Sequence, residues 1–451
     1  MNLDRDKQMF SNRALVSLAV PVILDALLAI VAGMVDSAMV SSAGEAAVSA
    51  VSLVDAVNLL FLMIVAAISV GGSVITAQYI GRQNYEKAST SANQLLYAST
   101  AMAVVCMLLL IGLREHMLTW IYGGIEADVF ENASTYFFYT LLGYPFFAIG
   151  SSSGAVLRAM GKNRQSVMIT VLANLLNVAG NATLIYGFNM GVAGAAISTS
   201  FSRVVWAVLG LILTHRKELP AHFEKLLRFK LDFDVMRRVL QVGLTNGLEN
   251  GMFHIGKVLI SSLISSFSTV AIAAYSVSST LNNIGWTIVG AFGTVLLTVV
   301  GQCVGAKEYE QARMYTKKML GIATICMFLI FGSVFLLRNQ LVMLFDFAPE
   351  TLEACAYYTG VSALFSLVSI YSLSFVPTSA FRAAGDLRYA VTLSISSMFA
   401  FRVFLCYILN AIFPQLGLMC VYIGMGVDWL FRSVLNFIHF RRGKWLHKQL
   451  I

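Results

Sequence analysis

Residues 14–42 read ALVSLAVPVILDALLAIVAGMVDSAMVSS, an apolar run that carries two carboxylates, Asp25 and Asp36. As a helix rising about 1.5 Å per residue, the run is long enough to cross the apolar core of a bilayer, which is about 30 Å thick. The two acids are eleven residues apart, or roughly 20° around a helix, and therefore share one face. Because an acid facing lipid is costly, we expect this face to line a cavity or the protein interior.

The composition of the whole chain indicates a membrane protein. Of 451 residues, 58% are hydrophobic and only 12% are charged, whereas soluble domains have about 25% charged residues. Twelve runs are apolar and long enough to span a bilayer. They cover residues 14–41, 51–79, 92–113, 133–157, 166–187, 191–214, 236–266, 272–301, 316–338, 353–379, 389–413 and 416–440. The predicted fold class is all-α integral membrane, with twelve transmembrane helices and no removable signal peptide.

The distribution of basic residues predicts the orientation. If both termini are cytoplasmic, only Arg114 and Arg338 of the 31 Lys and Arg fall outside; four lie within or at the ends of spans, and the other 25 fall inside. This asymmetry follows the positive-inside rule, and the net charge of +8 is its by-product rather than a sign of a nucleic-acid partner. We expect a monomer in the lipid bilayer of the plasma membrane, specifically a bacterial cytoplasmic membrane.

The chain shows none of the usual signatures of a metal site or an enzyme. All six cysteines lie in apolar spans without paired spacing, which favours neither a disulfide nor a metal site. No nucleophile with an apposed base, metal-ligand cluster or phosphate-binding loop is visible. We therefore expect no enzymatic activity, no cofactor and no bound metal other than a coupling Na⁺.

The sequence repeats itself at an offset of 224 residues. Residues 50–88 align without a gap with residues 274–312, and residues 157–164 align with residues 381–388. The identities in the first alignment include Ala50/Ala274, Ser52/Ser276, Asn58/Asn282, Gln78/Gln302, Gly81/Gly305, Tyr85/Tyr309, Glu86/Glu310 and Ala88/Ala312. Six spans per half is an even number, so the repeat is parallel. We predict two pseudo-symmetric six-helix bundles, residues 1–214 and 236–451, joined by a cytoplasmic loop of residues 215–235.

The repeat gives one acid of the first span a counterpart in the second half. Asp25 aligns with Glu249, so each half places a carboxylate at the same depth of its first helix. Asp36 has no acidic counterpart. The second half also carries a base, Lys257, eight residues after Glu249. Lys257 or His254 could simply hold Glu249 in a structural pair.

Two other polar positions have structural interpretations that stay open at this point. Asp25 could be held by Ser17 or Asn58 instead of acting on an ion. Asp428 and Arg432 are four residues apart in the last span, a spacing at which side chains on a helix form a pair.

Several short elements, in this order along the chain, resemble the multidrug and toxic compound extrusion (MATE) family of secondary transporters. The first element is the first span, with Pro21 and with Val-Asp-Ser around Asp36, and the second is a Gln-x-x-Gly ending that occurs at Gln78 and Gly81 and again at Gln302 and Gly305. The third is Leu-Arg-Ala-x-Gly, with Arg158 and Gly161, and its copy with Arg382 and Gly385. The fourth is Gly-Leu-Glu-Asn at residues 247–250. The resemblance extends over nearly the whole chain.

The resemblance implies an exporter that alternates between inward-open and outward-open states and is driven by inward movement of H⁺ or Na⁺. Asp36 would carry the coupling ion, with Asp25 and Asn58 as further candidates, and Na⁺ could bind at Asp36. The sodium-coupled branch of the family has a further acid in span ten. Here residues 356–381 contain none, and Tyr371 lies near the expected position. We therefore expect H⁺ rather than Na⁺.

The cargo implied by the resemblance is amphipathic and mostly cationic organic compounds, with candidate contacts at Glu249, Asn282, Tyr275 and Tyr371. The alternative interpretation is a flippase or exporter of a lipid-linked precursor or metabolite in the same superfamily. That class is expected to have additional spans and a strongly cationic central cavity.

Overall fold

The protein folds into helices throughout the regions that the structure, a computed structural model, describes: residues 8–124, 126–223, 230–345, 347–448 and 450–451. The α-helices in these regions are α1 Asn12–Ser41, α2 Glu45–Gly81, α3 Tyr85–Tyr122, α4 Ala127–Leu142, α5 Tyr144–Ala159, α6 Asn163–Asn181, α7 Gly191–Thr214, α8 Phe233–Ser265, α9 Thr269–Gly305, α10 Tyr309–Leu336, α11 Arg338–Val342, α12 Pro349–Val368, α13 Tyr371–Ala384, α14 Leu387–Ser397, α15 Leu405–Ile412 and α16 Met419–Arg442. Two π-helical segments, Ala182–Gly187 and Met398–Phe404, follow α6 and α14.

Every predicted span coincides with a helix or a closely connected series of helices. Among the described residues, eight helical segments are long and apolar enough to cross a membrane, and ten if each of two bent pairs counts as one span. The helices α8 and α16, with 33 and 24 residues, are long enough but more polar. The all-helical membrane fold is confirmed, whereas the count of twelve spans stays a prediction.

Two of the predicted spans are bent rather than straight. The pair α4 and α5 bends by 46° and the pair α12 and α13 by 52°. At the first bend Pro145 lies at the start of α5, where its missing N–H does no harm. At the second, Ile370 adopts a left-handed backbone conformation with a φ of 49°. Each pair is apolar and long enough to cross a membrane if it counts as one span, so the spans at residues 133–157 and 353–379 stay predictions.

The 224-residue offset recurs in the helix boundaries and in the turns. Helix α2 begins at Glu45 and ends at Gly81, and α9 begins and ends 224 residues later. The residues two positions after these helix ends, Gln83 and Lys307, both have positive φ, of 58° and 63°. Equivalent helices also pack alike, because α2 contacts α3, α4 and α5 while α9 contacts α10, α12 and α13. The superposition of two whole bundles stays a prediction.

The chain divides into two compact units inside α8 rather than in the connecting loop. The N-terminal unit comprises Phe10–Gly247 with Ile451, and the C-terminal unit comprises Leu248–Leu450 with Gln8 and Met9. The first half of α8 belongs to the N-terminal unit because glycines bring its backbone close to α2. A Cβ on Gly243 would lie 2.8 Å from the Cα of Ile68. Small residues such as Gly243 are typical of places where helices pack closely in membranes.

The loop between the halves is tied to the N-terminal unit by a salt bridge. The Lys87 ammonium lies 2.8 Å from Asp232, whose carboxylate also accepts a hydrogen bond from the backbone N–H of Val235 at 3.1 Å. The hydrogen bond from Lys87 lowers the pKa of Asp232 below its ordinary value. Asp232 thus stabilises the start of α8 while holding it to α3.

Candidate functional site

The side chain of Asp36 is held by an amide from a second helix. Near the end of α1, the half-buried Asp36 carboxylate accepts a hydrogen bond from the side-chain amide of Asn181, the last residue of α6. Asn181 is fully buried, and its side-chain oxygen has no hydrogen-bond partner among the residues that the structure describes. The coupling acid predicted from the sequence therefore faces an amide in the protein interior rather than lipid.

A second acid, Asp55, is the acceptor of a larger group of hydrogen bonds. Its Oδ1 accepts from the amide of Asn58 at 3.4 Å and from the hydroxyl of Tyr136 at 3.3 Å. The Asn58 amide also donates to Thr140 at 3.3 Å, and its oxygen accepts from the Tyr144 hydroxyl at 2.8 Å. Asn58 thus links α2 with α4 and α5, and the expectation that it takes part in ion coupling stays a prediction.

The two acids belong to one electrostatic group in the N-terminal unit. Asp55 interacts electrostatically with Asp36 and with Arg203. The guanidinium of Arg203 is anchored on α4 through a hydrogen bond to the backbone carbonyl of Thr140 at 3.2 Å. Two carboxylates with one arginine leave the group one negative charge, which a proton or another monovalent cation can neutralise. We call Asp36, Asp55, Asn58, Asn181 and Arg203 the acidic network.

Asp25 lies on the same helix as Asp36 but has different surroundings. It interacts electrostatically with Arg158, which donates a hydrogen bond to Ser166 at 3.1 Å. One buried oxygen of Asp25 has no hydrogen-bond partner in the described part of the chain. Neither Ser17 nor Asn58, the partners considered from the sequence, holds it. The structure therefore shows no contact that joins Asp25 to the acidic network.

Glu249, the counterpart of Asp25, forms an ion pair with Arg382, the counterpart of Arg158. Glu249 Oε2 and Arg382 Nη2 are 2.7 Å apart, and the two side chains are 14% and 13% exposed. The partner is neither Lys257 nor His254, so both structural alternatives considered from the sequence are corrected. With its charge neutralised, Glu249 offers no free carboxylate to a cation, and the expectation that it contacts cargo stays a prediction.

The remaining family-type elements lie at helix ends. Gly81 and Gly305 are the last residues of α2 and α9, and Gln78 and Gln302 precede them by three residues. Gly161 and Gly385 have positive φ, 76° and 99°, which explains glycine at both positions. Gly385 directly follows the end of α13, and Gly161 follows the end of α5 by two residues. These positions define turns, and their functional role stays a prediction.

The C-terminal unit contains a cavity that holds three of the four candidate cargo contacts. Its empty space, including the part open to solvent, is about 510 Å³. Asn282, Tyr275 and Tyr371 line it, whereas Glu249 does not. The other lining residues are Phe253, Lys257, Ser278, Ser279, Asn283, Trp286, Phe375, Arg402, Tyr422, Met425 and Trp429. The Asn282 amide also donates to Ser362 at 2.5 Å, a link between α9 and α12.

An ion pair adjoins this cavity, because the Arg432 Cζ lies 5.4 Å from the ring centroid of the lining residue Phe375. Asp428 Oδ1 and Arg432 Nε are 2.8 Å apart, with the side chains 0% and 3% exposed. The predicted pairing of these residues is confirmed. Arg432 also donates to the backbone carbonyl of Ser394 at 2.8 Å, which anchors it to α14.

Two parts of these sites were not found from the sequence. The repeat did not single out Asn181 as a site residue, because its counterpart is the apolar Leu405. The only feature that distinguished it in the sequence was an uncharged amide near the end of an apolar span. Arg402 was visible as a base in a span, but its place in the cavity depends on the π-helical segment Met398–Phe404, which sequence periodicity does not predict.

Long apolar helices, a repeated packing arrangement and ionisable side chains inside spans define a multi-pass helical membrane protein with a transport function. Comparison with known proteins agrees. A probable multidrug resistance protein NorM of Thermotoga maritima is 24% identical over 440 residues, which cover 96% of this chain and 93% of that protein.

Solved structures match over nearly the whole length. A crystal structure of MATE in the bent conformation superimposes with a TM-score of 0.89 at 20% identity, covering 96% of both chains. An outward-facing multidrug resistance MATE family transporter of the MOP superfamily superimposes with a TM-score of 0.88 at 20% identity, covering 97% of this chain and 96% of that one. The family model MatE matches residues 21–183 and 244–408. The chain belongs to the MatE family of membrane transporters.

Proposed function

We propose that the protein is a proton-coupled antiporter that exports amphipathic organic compounds by alternating access. The observation that carries this proposal is the acidic network, in which a half-buried Asp36 accepts a hydrogen bond from Asn181 within electrostatic range of Asp55. A carboxylate in such a place can bind a proton on one side of the membrane and release it on the other. Coupling then requires that proton and cargo differ in their affinities for the two states.

The coupling ion is a proton because few carboxylates are left for a metal ion. Arg382 neutralises Glu249, and Arg432 neutralises Asp428. Among the described residues, no group of three or more His, Cys, Asp or Glu side chains comes together. A single carboxylate is sufficient for a proton, whereas a hard cation prefers several oxygen ligands.

The sequence predicts amphipathic organic cations as the cargo. The acidic side chains that could attract such cations lie in the N-terminal unit. Asp25, Asp36 and Asp55 all belong to that unit. The multidrug resistance and multidrug export proteins among the relatives support organic cargo of this kind. A lipid-linked precursor flippase is expected to have a strongly cationic central cavity and further spans. The present chain instead matches transporters of this family over 96% of its length.

Transport by the purified protein in liposomes tests this proposal. Asp36→Asn keeps the size of the side chain and removes the titrating proton, so proton-driven export of an organic cation such as ethidium should be lost. Asp128→Asn, an exposed acid in the first turn of α4, is the matched control and should transport like the wild type. Wild-type transport by Asp36→Asn would remove Asp36 from the mechanism.

The choice between H⁺ and Na⁺ needs a second measurement on the same liposomes. Efflux is followed at fixed pH with and without an inward sodium gradient. We expect the sodium gradient alone to have no effect and the pH gradient to drive export. Strong stimulation by sodium that survives collapse of the pH gradient would contradict proton coupling.

A further inference from the structure

The charge on the cavity of the C-terminal unit is opposite to that of the acidic network. Of the described residues that line the cavity, two are bases, Lys257 and Arg402, and none is a carboxylate. Arg402 is only 7% exposed, whereas Lys257 is exposed. The ion pairs found within the described ranges involve neither residue. A buried guanidinium without a counter-ion calls for one, because the protein interior solvates an unpaired charge poorly.

Both bases contact the same aromatic ring. The Lys257 Nζ lies 5.3 Å from the ring centroid of Phe253, and the Arg402 Cζ lies 5.4 Å from it. Arg402 also lies 5.8 Å from the ring centroid of Trp429. These cation–π contacts stabilise the charges but satisfy few of their N–H donors, of which arginine has five and lysine three. The donors remain available to an anionic group.

The neighbouring ion pairs do not cancel this positive charge. Asp428 directly precedes the lining residue Trp429 in sequence, and Arg432 already neutralises it at 2.8 Å. Glu249, eight residues before Lys257 on the same helix, is neutralised by Arg382 at 2.7 Å. The cavity therefore carries the charge of two bases.

Seven of the other lining residues are aromatic, and several of their rings contact one another. Phe253 and Trp286 are stacked with centroids 5.7 Å apart, and Trp286 meets Phe375 edge to face at 5.2 Å. Tyr371 meets Trp429 edge to face at 5.0 Å. The buried indole N–H of Trp429 has no hydrogen-bond partner in the described part of the chain. Stacking surfaces and an unused donor thus surround the two bases.

We propose that this cavity binds an aromatic organic anion, with its acidic group on Lys257 and Arg402 and its ring against Phe253 and Trp286. That the bound anion is cargo rests on the proposed export function; that it binds does not. A carboxylate, sulfonate or phosphate accepts hydrogen bonds from the free N–H groups. Such charge-assisted hydrogen bonds are stronger than hydrogen bonds between neutral groups. An organic cation of the same size meets two like charges and no acid.

Three matched probes with one ring system test the proposal. Naphthalene-2-sulfonate carries a permanent negative charge, naphthalene-2-sulfonamide is neutral, and (naphthalen-2-ylmethyl)trimethylammonium carries a permanent positive charge. Binding of each to the purified full-length protein in maltoside detergent is measured by isothermal titration calorimetry. We expect the sulfonate to bind about tenfold or more tightly than the sulfonamide, and the ammonium probe to bind most weakly.

Variants locate the binding site. Lys257→Gln should weaken sulfonate binding about tenfold while leaving sulfonamide binding unchanged, and Lys257→Arg should retain it. Lys317→Gln, an exposed lysine on α10, is the matched control and should bind like the wild type. Equal or tighter binding of the ammonium probe, absence of sulfonate binding, or an unchanged affinity in Lys257→Gln would each overturn the proposal.

The result can be separated from a failure of the proposed function, because binding in detergent needs no ion gradient. Asp36→Asn should abolish proton-driven movement of naphthalene-2-sulfonate across liposomes and leave its binding intact. Binding without proton-driven transport would leave the anion site in place and count against antiport. Proton-driven export of the ammonium probe without sulfonate binding would support antiport and count against the anion site.

Discussion

The ion pair between Glu249 and Arg382 makes the sharpest prediction about stability. Both side chains are mostly buried, at 14% and 13% exposed, and their charged atoms are 2.7 Å apart. Glu249→Gln removes one charge and leaves the guanidinium of Arg382 without its partner. Arg382→Gln does the reverse. The double variant removes both charges and leaves two amides that can hydrogen-bond to each other.

The expected magnitude follows from the burial of the pair. Unit charges about 4 Å apart attract by roughly 4 kcal/mol at an effective dielectric constant of about 20. Removing one partner of a buried pair typically costs about 3–5 kcal/mol, because the other charge stays buried and unpaired. We therefore expect each single variant of the Glu249–Arg382 pair to lose about 3 kcal/mol of stability, and the double variant to lose less than the sum by about 2 kcal/mol.

Equilibrium unfolding in mixed detergent micelles, with helicity as the readout, measures this double-mutant cycle. Arg388→Gln, a second arginine of the same half, serves as the control for loss of a positive charge. Additive losses within about 0.5 kcal/mol would show that the two side chains do not interact. If Glu249→Gln were as stable as the wild type and only weakened cationic cargo, Glu249 would be a cargo ligand, as the sequence suggested, and the reasoning from the structure would be refuted.

Three further predictions concern packing and charge elsewhere. Gly243→Ala should cost about 1–3 kcal/mol in thermal unfolding, because its Cβ would lie 2.8 Å from the Cα of Ile68; unchanged stability would show that α2 and α8 can separate. Asp428→Asn should cost about 3–5 kcal/mol in the same assay, since it strands a buried charge. Asp232→Asn should cost less than about 1 kcal/mol, because its pair with Lys87 is exposed. Since that pair lowers the pKa of Asp232, its small contribution is present near neutral pH and is lost as the pH falls through the lowered value.

The orientation of the chain can be checked in the same preparations. Both termini and the loop that begins at His215 are expected on the cytoplasmic side. A cysteine placed at the exposed Lys217 should react with a membrane-impermeant maleimide in inverted vesicles but not in intact cells. Labelling in intact cells would reverse the assignment.

Most of the fold could be predicted because it depends on long-range regularities of the sequence. Apolar runs fix the length of a membrane helix through the thickness of the bilayer, and the 224-residue offset relates the halves. The bends at Gly143 and Ile370 could not be predicted, since they depend on how one turn is accommodated between neighbouring helices. The division inside α8 depends on the close contact of Gly243 with Ile68, which appears only in three dimensions.

The candidate sites were predicted in part, for a similar reason. Asp36 could be singled out because a carboxylate in a span is rare and costly. Its partner Asn181 is 145 residues away in sequence, and an uncharged amide in a span has no comparable cost. Glu249 aligns with Asp25 through the repeat, and their equal depth stays a prediction; the sequence did not indicate that Arg382 would be the partner of Glu249.

The repeat itself separates positions that maintain the fold from positions that differ between the halves. An acid and an arginine occur in both halves at equivalent places, Asp25 with Arg158 and Glu249 with Arg382. The second pair is direct, and the first is an electrostatic interaction without a described hydrogen bond between the two side chains. A feature present in both halves is most simply explained by the packing that both share.

Three of the charged positions that differ between the halves are ones that would bind an ion or a ligand in the proposals above. Asp36 of the acidic network has Ile260 as its counterpart. In the opposite direction, Lys257 of the cavity has Gly33 as its counterpart, and Arg402 has Val178. The equivalent positions of the other half carry no charge, so the repeat alone does not account for these charges. In the two proposals, the acidic network of the N-terminal unit would therefore bind a proton, and the basic, aromatic cavity of the C-terminal unit would bind an organic anion.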